Sequence, residues 1–382
     1  MRKADFDGYD LIIVGASFAG LIAARTAAHR GLKVAVLDAK KEPGARVRTT
    51  GILVKEAADE TDIPSSLTRR IPGARLYAPS GKHIDLFAPG YYFLATDTAG
   101  TMRFLAREAA RAGAHLLFGT RFVGAALVDD EIRLEGVGLK TRYLLGADGA
   151  RSRVAGTFKL GLNTEFLLGV ETEYEETPTV DPDFIHCYID TKLAPGYLGW
   201  VVPGVNMTQV GVAVSKGIFG EERKPNYAAF LRRIDPTFAL WNCEEKAKRS
   251  GPIPCGGLVS PLSTRRVLLT GDAAGLVSPL TAGGIRLAFQ YGRRAAQVIS
   301  DHLQAGGEDP GAVMAREYPT FGSKTWLRRL WSAAPPNQLL NLTLFTPPMQ
   351  ALAQRIYFRK RGFAGAEASF EAQRLVMRRG TA

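Results

Sequence analysis

The sequence predicts an α/β fold in which a discontinuous domain on a parallel sheet is combined with an antiparallel sheet domain and a C-terminal helical segment. Three observations predict it: an opening strand–turn–helix–strand pattern, a middle of short alternating strands, and a second glycine-rich strand-to-helix passage near Val267. The chain has 382 residues, of which 46% are hydrophobic. It is therefore long enough for two or three interleaved domains with a substantial core.

The opening pattern runs from Asp10 to Asp38. The apolar run Leu11–Val14 is long enough only for a buried strand, and the turn GASFAG leads from it into an Ala-rich helix. A second apolar strand then ends at Asp38. This is the order of elements in a Rossmann-type unit that binds a dinucleotide.

The residues of this turn suit phosphate and ribose groups. Gly15 permits a tight turn, and Gly20 lets the helix pack closely on the strand. Ser17 stands where the pattern usually has a second glycine, and it is small enough for backbone N–H groups to approach a pyrophosphate. The Asp38 carboxylate can accept hydrogen bonds from ribose hydroxyl groups.

The second glycine-rich passage predicts which dinucleotide is bound. A buried strand ends at Gly271-Asp272, and the segment from Pro279 then opens a helix. Three backbone N–H groups at this helix start point at an anion or an electron-rich carbonyl, those of Gly283, Gly284 and Ile285. A nicotinamide cofactor needs no such second site, whereas FAD needs a cradle at each of its two ends. We therefore expect FAD.

The segments between these passages supply the remaining elements. We expect a hairpin from Arg75–Ala78 and His83–Phe87, a helix over Met102–Ala112, and a strand before Asp148-Gly149 that returns to the first sheet. From Phe158 to Ser260 the pattern indicates antiparallel strands. The predicted domains are an FAD-binding domain of residues 1–74, 95–157 and 262–305, a substrate domain of residues 75–94 and 158–261, and a basic, aromatic helical region of residues 306–382.

The net charge of +12 is concentrated near the C-terminus. From Gly311 to the end of the chain there are 11 Lys or Arg and 3 Asp or Glu, interleaved with aromatic residues. A solvated basic face and an anionic membrane surface both remain open, and without a recognised motif we expect no nucleic-acid partner. The uncharged stretch Leu330–Gln354 contains four prolines, which argues against a membrane-spanning helix.

Three cysteines without CxxC spacing predict neither a disulfide framework nor a metal site, and they suit a reducing compartment. The N-terminus lacks a signal-peptide pattern. We therefore expect a cytoplasmic protein, with peripheral attachment to a membrane left open.

Three segments in this order, GASFAG, YLLGADGARS and VLLTGDAAGLVSPLTAGGI, resemble the FAD-dependent superfamily that includes para-hydroxybenzoate hydroxylase. Within it the chain most resembles the geranylgeranyl reductase family, through GYLGWVVP at residues 196–203, SGPIP at residues 250–254 and the AAGLVSPLTAGGI form of the flavin segment. The resemblance covers roughly residues 8 to 300.

The resemblance implies FAD ribose on Asp38, the flavin ring under Pro279–Ile285 and a pyrophosphate-supporting turn at Asp148. It also implies an apolar cavity with Tyr197 and Trp200 on its wall, although aromatics in a sheet also serve as plain core. The expected cofactor-contacting residues are Gly15, Ser17, Phe18, Ala19, Gly20, Asp38, Arg46, Thr50, Gly51, Val123, Asp148, Gly271, Asp272, Pro279, Gly283, Gly284 and Ile285.

Two departures from the family pattern concern the chemistry. Thr50-Gly51 stands where many prenyl reductases have Cys-Gly, so a thiol-dependent step is absent there. Thr98 stands where an Arg often contacts FAD, and Arg103 is a candidate substitute.

The function that the resemblance implies is reduction of carbon–carbon double bonds in a prenyl or other long apolar substrate, with reduced FAD as hydride source. NAD(P)H or a ferredoxin-like protein would supply the electrons. A flavin monooxygenase of an aromatic or polyketide-like compound, and a non-catalytic prenyl-lipid carrier, are the alternatives. No residue is identified as the proton donor.

Overall fold

The structure, a computed structural model, describes residues 7–177, 179–217 and 219–358. In chain order its strands are β1 (Tyr9–Val14), β2 (Val34–Asp38), β3 (Ile52–Val54), β4 (Thr68–Ile71), β5 (Gly73–Tyr77), β6 (His83–Phe87), β7 (Phe93–Thr96), β8 (His115–Phe118), β9 (Ala125–Val128), β10 (Glu131–Leu134), β11 (Lys140–Gly146), β12 (Phe166–Glu175), β13 (Phe184–Tyr188), β14 (Gly199–Pro203), β15 (Met207–Ser215), β16 (Glu245–Pro254), β17 (Ser263–Thr264) and β18 (Val267–Leu269). Its α-helices are α1 (Phe18–His29), α2 (Lys55–Ala58), α3 (Thr98–Arg111), α4 (Arg153–Thr157), α5 (Tyr227–Phe238), α6 (Ile285–Ala305), α7 (Pro310–Glu317), α8 (Gly322–Ser332), α9 (Asn337–Thr343) and α10 (Pro347–Phe358).

The chain forms two compact units. Of the described residues, the first unit comprises those up to Val47, Ala99–Phe166 and Ile253–Thr325, and the second comprises Arg48–Thr98, Leu167–Pro252 and those from Trp326 to Phe358. Each unit is built from segments that are distant in sequence. The predicted domains are defined by their function, and their boundaries remain a prediction. Residues 48–74, which are predicted to belong to the FAD-binding domain, lie in the second compact unit.

A mostly parallel sheet organises the first unit, with the strand order β17-β18-β11-β1-β2-β8. Strands β18, β11, β1, β2 and β8 run parallel to one another, whereas β17 pairs antiparallel with β18 and the β9–β10 hairpin joins β11 in antiparallel fashion. Leu11, Ile12 and Ile13 of β1 are fully buried, as strands covered on both faces must be. The prediction of a parallel Rossmann-type sheet is confirmed.

The strand register places the ends of these strands at one edge of the sheet. Val14 at the end of β1 pairs with Leu37 in β2 and with Gly146 in β11, and Gly146 pairs in turn with Leu269 in β18. The polypeptide that follows each strand therefore starts from the same edge. In open α/β sheets this carboxyl edge is where ligands bind.

A second, largely antiparallel sheet organises the other unit, with the strand order β16-β12-β15-β14-β13-β5-β6. A small antiparallel sheet, β3-β7-β4, lies in the same unit. The expected hairpin is confirmed as β5 and β6. However, β5 also pairs in parallel with β13, which is far from it in sequence, so the sheet is not purely antiparallel.

The C-terminal segment contributes α8 to α10, and Phe358 at the end of α10 packs edge-on against Tyr91 in the second unit. No helix in the described ranges combines the length and the apolar character that crossing a bilayer requires. Six of the eleven basic residues from Gly311 onward lie beyond residue 358 and thus outside the described part.

Two local predictions need correction. Helix α3 begins at Thr98 rather than at Met102, because Thr98 to Thr101 continue the buried face of the helix. The stretch predicted as strands alone also contains α5, whose buried residues Phe230, Ile234 and Phe238 follow helical spacing.

Candidate cofactor site

The glycine turn after β1 is packed so closely that side chains are excluded. Gly15 has a φ of 109°, and a Cβ at this residue would lie 2.2 Å from the carbonyl oxygen of Ala147. A Cβ at Gly20 would lie 1.8 Å from the carbonyl oxygen of Gly15. The turn therefore rests directly on the backbone that follows β11, and the helix rests directly on the turn.

The amino end of α1 offers backbone donors beside this turn. Ser17 precedes the helix in an extended conformation, its side chain makes no capping hydrogen bond, and the first helical turn contains no acidic residue. The first N–H groups of a helix have no partner inside it, and they carry a partial positive charge. An anion such as a pyrophosphate can accept hydrogen bonds from these N–H groups and is attracted by the partial positive charge.

Asp38 fixes the end of β2 against the glycine turn. Its Oδ2 accepts a hydrogen bond from the backbone N–H of Ala16 (2.8 Å), and its Oδ1 accepts one from the backbone N–H of Lys40 (2.8 Å). A carboxylate has about four acceptor positions. The two that remain can accept from ribose hydroxyl groups while the loop stays held.

Asp148 holds the turn that follows β11. Its carboxylate accepts from Ser152 Oγ (2.6 Å) and from the backbone N–H groups of Arg153 (2.7 Å) and Val154 (3.2 Å), which lie at the start of α4. Burial raises the pKa of this carboxyl, and these hydrogen bonds oppose the increase. Asp148 thus stabilises the backbone on which Gly15 rests, as a supporting residue would.

Asp272, just past the end of β18, is different because its carboxylate has no hydrogen-bond partner among the described residues. Its backbone carbonyl accepts hydrogen bonds from Asn163 Nδ2 at 2.9 Å and from the N–H of Gly275 at 3.1 Å. Burial alone raises the pKa of this carboxyl to about 6. The side chain of Asp272 is partly exposed, so this carboxylate is open to an added donor, and a polyol hydroxyl would supply one. This is the feature that a ribityl chain of FAD fits.

The amino end of α6 lies beside that carboxylate. A Cβ at Gly284, the residue before α6, would lie 3.4 Å from Asp272 Oδ1. The first turn of α6 contains no acidic residue, and Gly284 makes no capping hydrogen bond with a side chain. Within the preceding loop, the N–H of Ser278 donates to the carbonyl of Gly283 (3.1 Å), which keeps the loop closed.

The two glycine-rich passages are in direct contact. A Cβ at Gly271 would lie 2.9 Å from Ala19 Cβ, and the ring of Phe18 packs edge-on against Phe289 of α6 at 5.3 Å between centroids. An extended dinucleotide needs two such end sites within one unit. The residues present therefore fit FAD: a helix start and Asp38 for its nucleotide half, and Asp272 with the α6 start for its flavin half.

Other predicted contacts lie around this framework or in the second unit. Arg46, in the loop after β2, is exposed with a φ of 49°, and Val123, before β9, is 54% exposed. Thr50 and Gly51 precede β3 in the second unit, and a Cβ at Gly51 would lie 2.0 Å from Thr98 Oγ1. Their contact with the cofactor, like that of the whole predicted set, remains a prediction.

The two predicted substrate-wall residues also belong to the second unit. Trp200 in β14 is partly buried, and its Nε1 donates to Glu171 Oε2 at 2.7 Å. Tyr197 accepts a hydrogen bond at its carbonyl from Trp331 Nε1 (3.4 Å), and the Arg328 guanidinium lies 5.7 Å from its ring centre. Trp200 also packs against a hydrophobic core cluster of this unit, so its role at a substrate wall, like that of Tyr197, remains a prediction.

Sequence reasoning missed a buried ionic cluster in the second unit, formed by Glu171 and Glu173 of β12 with Arg249 of β16. Arg249 forms ion pairs with both glutamates. Glu171 also accepts hydrogen bonds from Thr50, a predicted cofactor contact, and from Trp200, a predicted substrate contact. A signal was present: Glu171 and Glu173 are two residues apart in a strand and so share a face. A pairing partner 76 residues later could not be identified from that spacing.

Comparison with known proteins agrees with this geometry. The model of the FAD binding domain family matches residues 8–310. Digeranylgeranylglycerophospholipid reductase of Methanosarcina acetivorans is 29% identical over 318 residues, 78% of this chain and 77% of the relative. Geranylgeranyl diphosphate reductase of Rhodobacter capsulatus is 30% identical over 310 residues, 78% of this chain and 76% of the relative.

A solved structure has the same fold. The geranylgeranyl bacteriochlorophyll reductase-like protein of Thermoplasma acidophilum superposes with a TM-score of 0.77 at 23% identity, covering 92% of this chain and 97% of that one. At this level of identity the likeness concerns the fold.

Proposed function

Because this chain belongs to the geranylgeranyl reductase family of FAD-dependent oxidoreductases, we propose that it reduces carbon–carbon double bonds in a prenyl chain. The observation that carries the proposal is the pair of contacting glycine-rich passages in the first unit, where the Asp272 carboxylate has no partner in the described part of the chain and lies beside the start of α6. The names of the two relatives share a geranylgeranyl group, which supports a long apolar isoprenoid as substrate.

The chain's own residues would hold the cofactor at both ends. The amino end of α1 and Asp38 bind the pyrophosphate and ribose, and Asp272 accepts a hydrogen bond from the ribityl chain. The amino end of α6 places partial positive charge beside the flavin ring. When bound, FAD supplies hydride transfer. The protein's part is to orient the reacting groups and exclude water.

Tyr197 and Trp200 are proposed to contact the prenyl chain. Trp200 is held by a hydrogen bond from its Nε1, so its ring presents a fixed apolar face. For the electron source we propose NAD(P)H or a ferredoxin-like protein. Anaerobic mixing with each reductant separately, followed by flavin absorbance, distinguishes the two.

The experiment that tests the function is a single-turnover reduction. FAD-loaded protein, chemically reduced without oxygen, is mixed with geranylgeranyl diphosphate or a geranylgeranyl glycerophospholipid. Mass spectrometry is expected to show products heavier by two hydrogens for each reduced double bond, while flavin absorbance returns. Product formation that requires oxygen and adds an oxygen atom would contradict reduction and indicate a monooxygenase. Binding without flavin turnover would indicate a carrier.

We also propose that the C-terminal helices bind an anionic membrane surface. Among the described residues, exposed large apolar side chains recur on these helices, namely Trp326, Leu330, Leu339, Leu342 and Leu352. Exposed apolar side chains near basic residues favour an interfacial position. A prenyl-lipid substrate would be met at such a surface.

A further inference from the structure

Glu171 is a buried carboxyl group that joins two residues predicted independently for the reaction. Its Oε2 accepts hydrogen bonds from Thr50 Oγ1 (2.5 Å) and from Trp200 Nε1 (2.7 Å). Thr50 was predicted as a cofactor contact and Trp200 as a substrate contact, from unrelated parts of the sequence. If either prediction holds, this carboxyl group lies one hydrogen bond from a residue that contacts the cofactor or the substrate.

The charges around Glu171 favour a neutral carboxyl group. Among the described residues, the one guanidinium facing it is that of Arg249, whose Nε lies 3.4 Å from Glu171 Oε1. Arg249 is shared with Glu173, to which its Nη2 bonds directly, and its Nη1 donates to the carbonyl of Thr49 (2.5 Å). One cation therefore faces two carboxyl groups, of which that of Glu171 is buried and that of Glu173 partly buried. Keeping a proton on one of them avoids an uncompensated charge in this site.

The proton is expected on Glu171 rather than on Glu173. The side chain of Glu171 is 4% exposed and that of Glu173 is 14% exposed, so water stabilises the charge of Glu173 better. Glu173 also accepts from Gln209 Nε2 (3.4 Å). Burial raises the pKa of Glu171, opposed by Arg249 and by the hydrogen bonds from Thr50 and Trp200.

One oxygen of Glu171, Oε1, is buried and accepts no hydrogen bond from any residue that the structure describes. Gln209 Oε1 in the same unit is likewise buried without a donor among these residues. A buried oxygen without a donor is unfavourable as part of a carboxylate and acceptable as part of a protonated acid. The arrangement is that of a general acid: a proton held in a site that water does not reach freely.

We propose that Glu171 is the proton donor of the reduction, supplying its carboxyl proton to the substrate carbon adjacent to the one that receives hydride. This rests on the proposed function. The π bond of the alkene breaks, one carbon gains hydride from the two-electron reductant, reduced flavin, and the other gains the proton. The substrate is reduced, the flavin is oxidised, and the carboxylate left on Glu171 recovers a proton from solvent.

Infrared spectroscopy of the purified FAD-loaded protein tests the protonation state without turnover. At neutral pH, wild type is expected to show the carbonyl stretching band of a protonated carboxylic acid that is missing in Glu171→Gln. Glu175→Gln is the matched control, because Glu175 lies in the same strand but is exposed. Spectra of wild type and Glu171→Gln that agree in this region would overturn the proposal.

The single-turnover assay tests the role. Glu171→Gln is expected to slow flavin reoxidation by substrate at least about 100-fold, with substrate affinity and flavin spectrum retained. Glu171→Asp should recover part of the rate. The wild-type rate should fall as pH rises through the pKa of Glu171. The rate of Glu171→Gln should not show this decrease at high pH, called the basic limb of the pH profile.

Two further outcomes separate the claims. If wild type and Glu171→Gln reduce the substrate equally fast, the proton donor is wrong and the reductase function stands. If wild type reduces no prenyl substrate, both are wrong. Should Glu171→Gln fail to fold, Trp200→Phe provides the test. This variant removes a hydrogen bond that stabilises the carboxylate, which raises the pKa of Glu171. The basic limb of its pH profile should therefore move to higher pH. An unmoved limb would overturn the proposal.

Discussion

The carbonyl oxygen of Ala19 in α1 lies directly against Gly292 in α6, so that a Cβ at residue 292 would be only 2.5 Å from it. This contact brings the helix that follows the first glycine turn onto the helix that follows the second. The position of the two proposed cofactor ends relative to each other depends on it.

Gly292→Ala is therefore expected to push the two helices apart. Overpacking of this kind typically costs about 1–3 kcal/mol of the free energy of unfolding, and affinity for FAD should fall as well. Urea unfolding of the apoprotein and FAD titration measure the two effects. Gly156→Ala is the matched control, since no atom lies within 4 Å of a Cβ there. Equal behaviour of the two variants would contradict close packing at Gly292.

Asp38→Asn should weaken FAD binding. In the wild type both carboxylate oxygens accept hydrogen bonds, from two backbone N–H groups and, as proposed, from the ribose hydroxyls. The amide of Asn has only one acceptor oxygen. Loss of a hydrogen bond to a charged group is worth about 1.5–3 kcal/mol, so the Kd for FAD should rise roughly 10- to 100-fold.

Asp10→Asn is the control for this experiment. Asp10 Oδ2 accepts from the backbone N–H of Lys33 (2.9 Å) near the opposite end of the same strands, so it has a comparable structural role away from the proposed site. Its replacement should reduce stability and leave FAD affinity unchanged. A matching loss of affinity in both variants would show that Asp38 acts through stability alone.

Asp272 should make the apoprotein less stable as pH rises. Its carboxyl has a pKa of about 6 in the folded protein and 3.8 as the ordinary value. Between these values the folded state binds more protons than the unfolded state, so the free energy of unfolding falls as pH increases. The contribution is present below pH 3.8 and is lost by the time the pH has passed 6.

Asp272→Asn should remove this slope. The neutral amide should stabilise the apoprotein at pH 8 by about 1–3 kcal/mol, and it should weaken FAD binding because an acceptor of the ribityl hydroxyl is lost. Urea unfolding at pH 5 and at pH 8, with and without FAD, measures both changes. A wild-type slope that persists in Asp272→Asn would show that another group titrates.

The proposed membrane surface predicts binding to anionic vesicles in flotation. Combined replacement of Trp326, Leu330 and Leu342 by Ser should lower the bound fraction at least about tenfold, since buried apolar side chains contribute roughly 1.5–3 kcal/mol each. Raising the salt concentration should weaken binding by wild type through screening of basic residues. Trp241→Ser is the control, because Trp241 is 64% exposed but lies outside these helices. Absence of wild-type binding at low salt would contradict the proposal.

The sequence was most informative where the chemistry is local. The turn at Gly15 directly follows a buried strand and Asp38 ends the next one, and the structure has these elements as predicted. The helix that starts after Gly284 is also present as predicted. Helix α5 was missed, because the strands on both sides of it dominated the interpretation of that stretch.

By itself the sequence determined the Rossmann-type sheet, the two glycine-rich passages and the family, since short-range periodicity and glycine spacing specify a strand, a turn and a helix start. Only the tertiary structure decided that Glu171 meets Thr50, Trp200 and Arg249. These residues come from four separate segments, and their proximity depends on strand order and register. Register is set by pairing between distant strands, which no local pattern encodes.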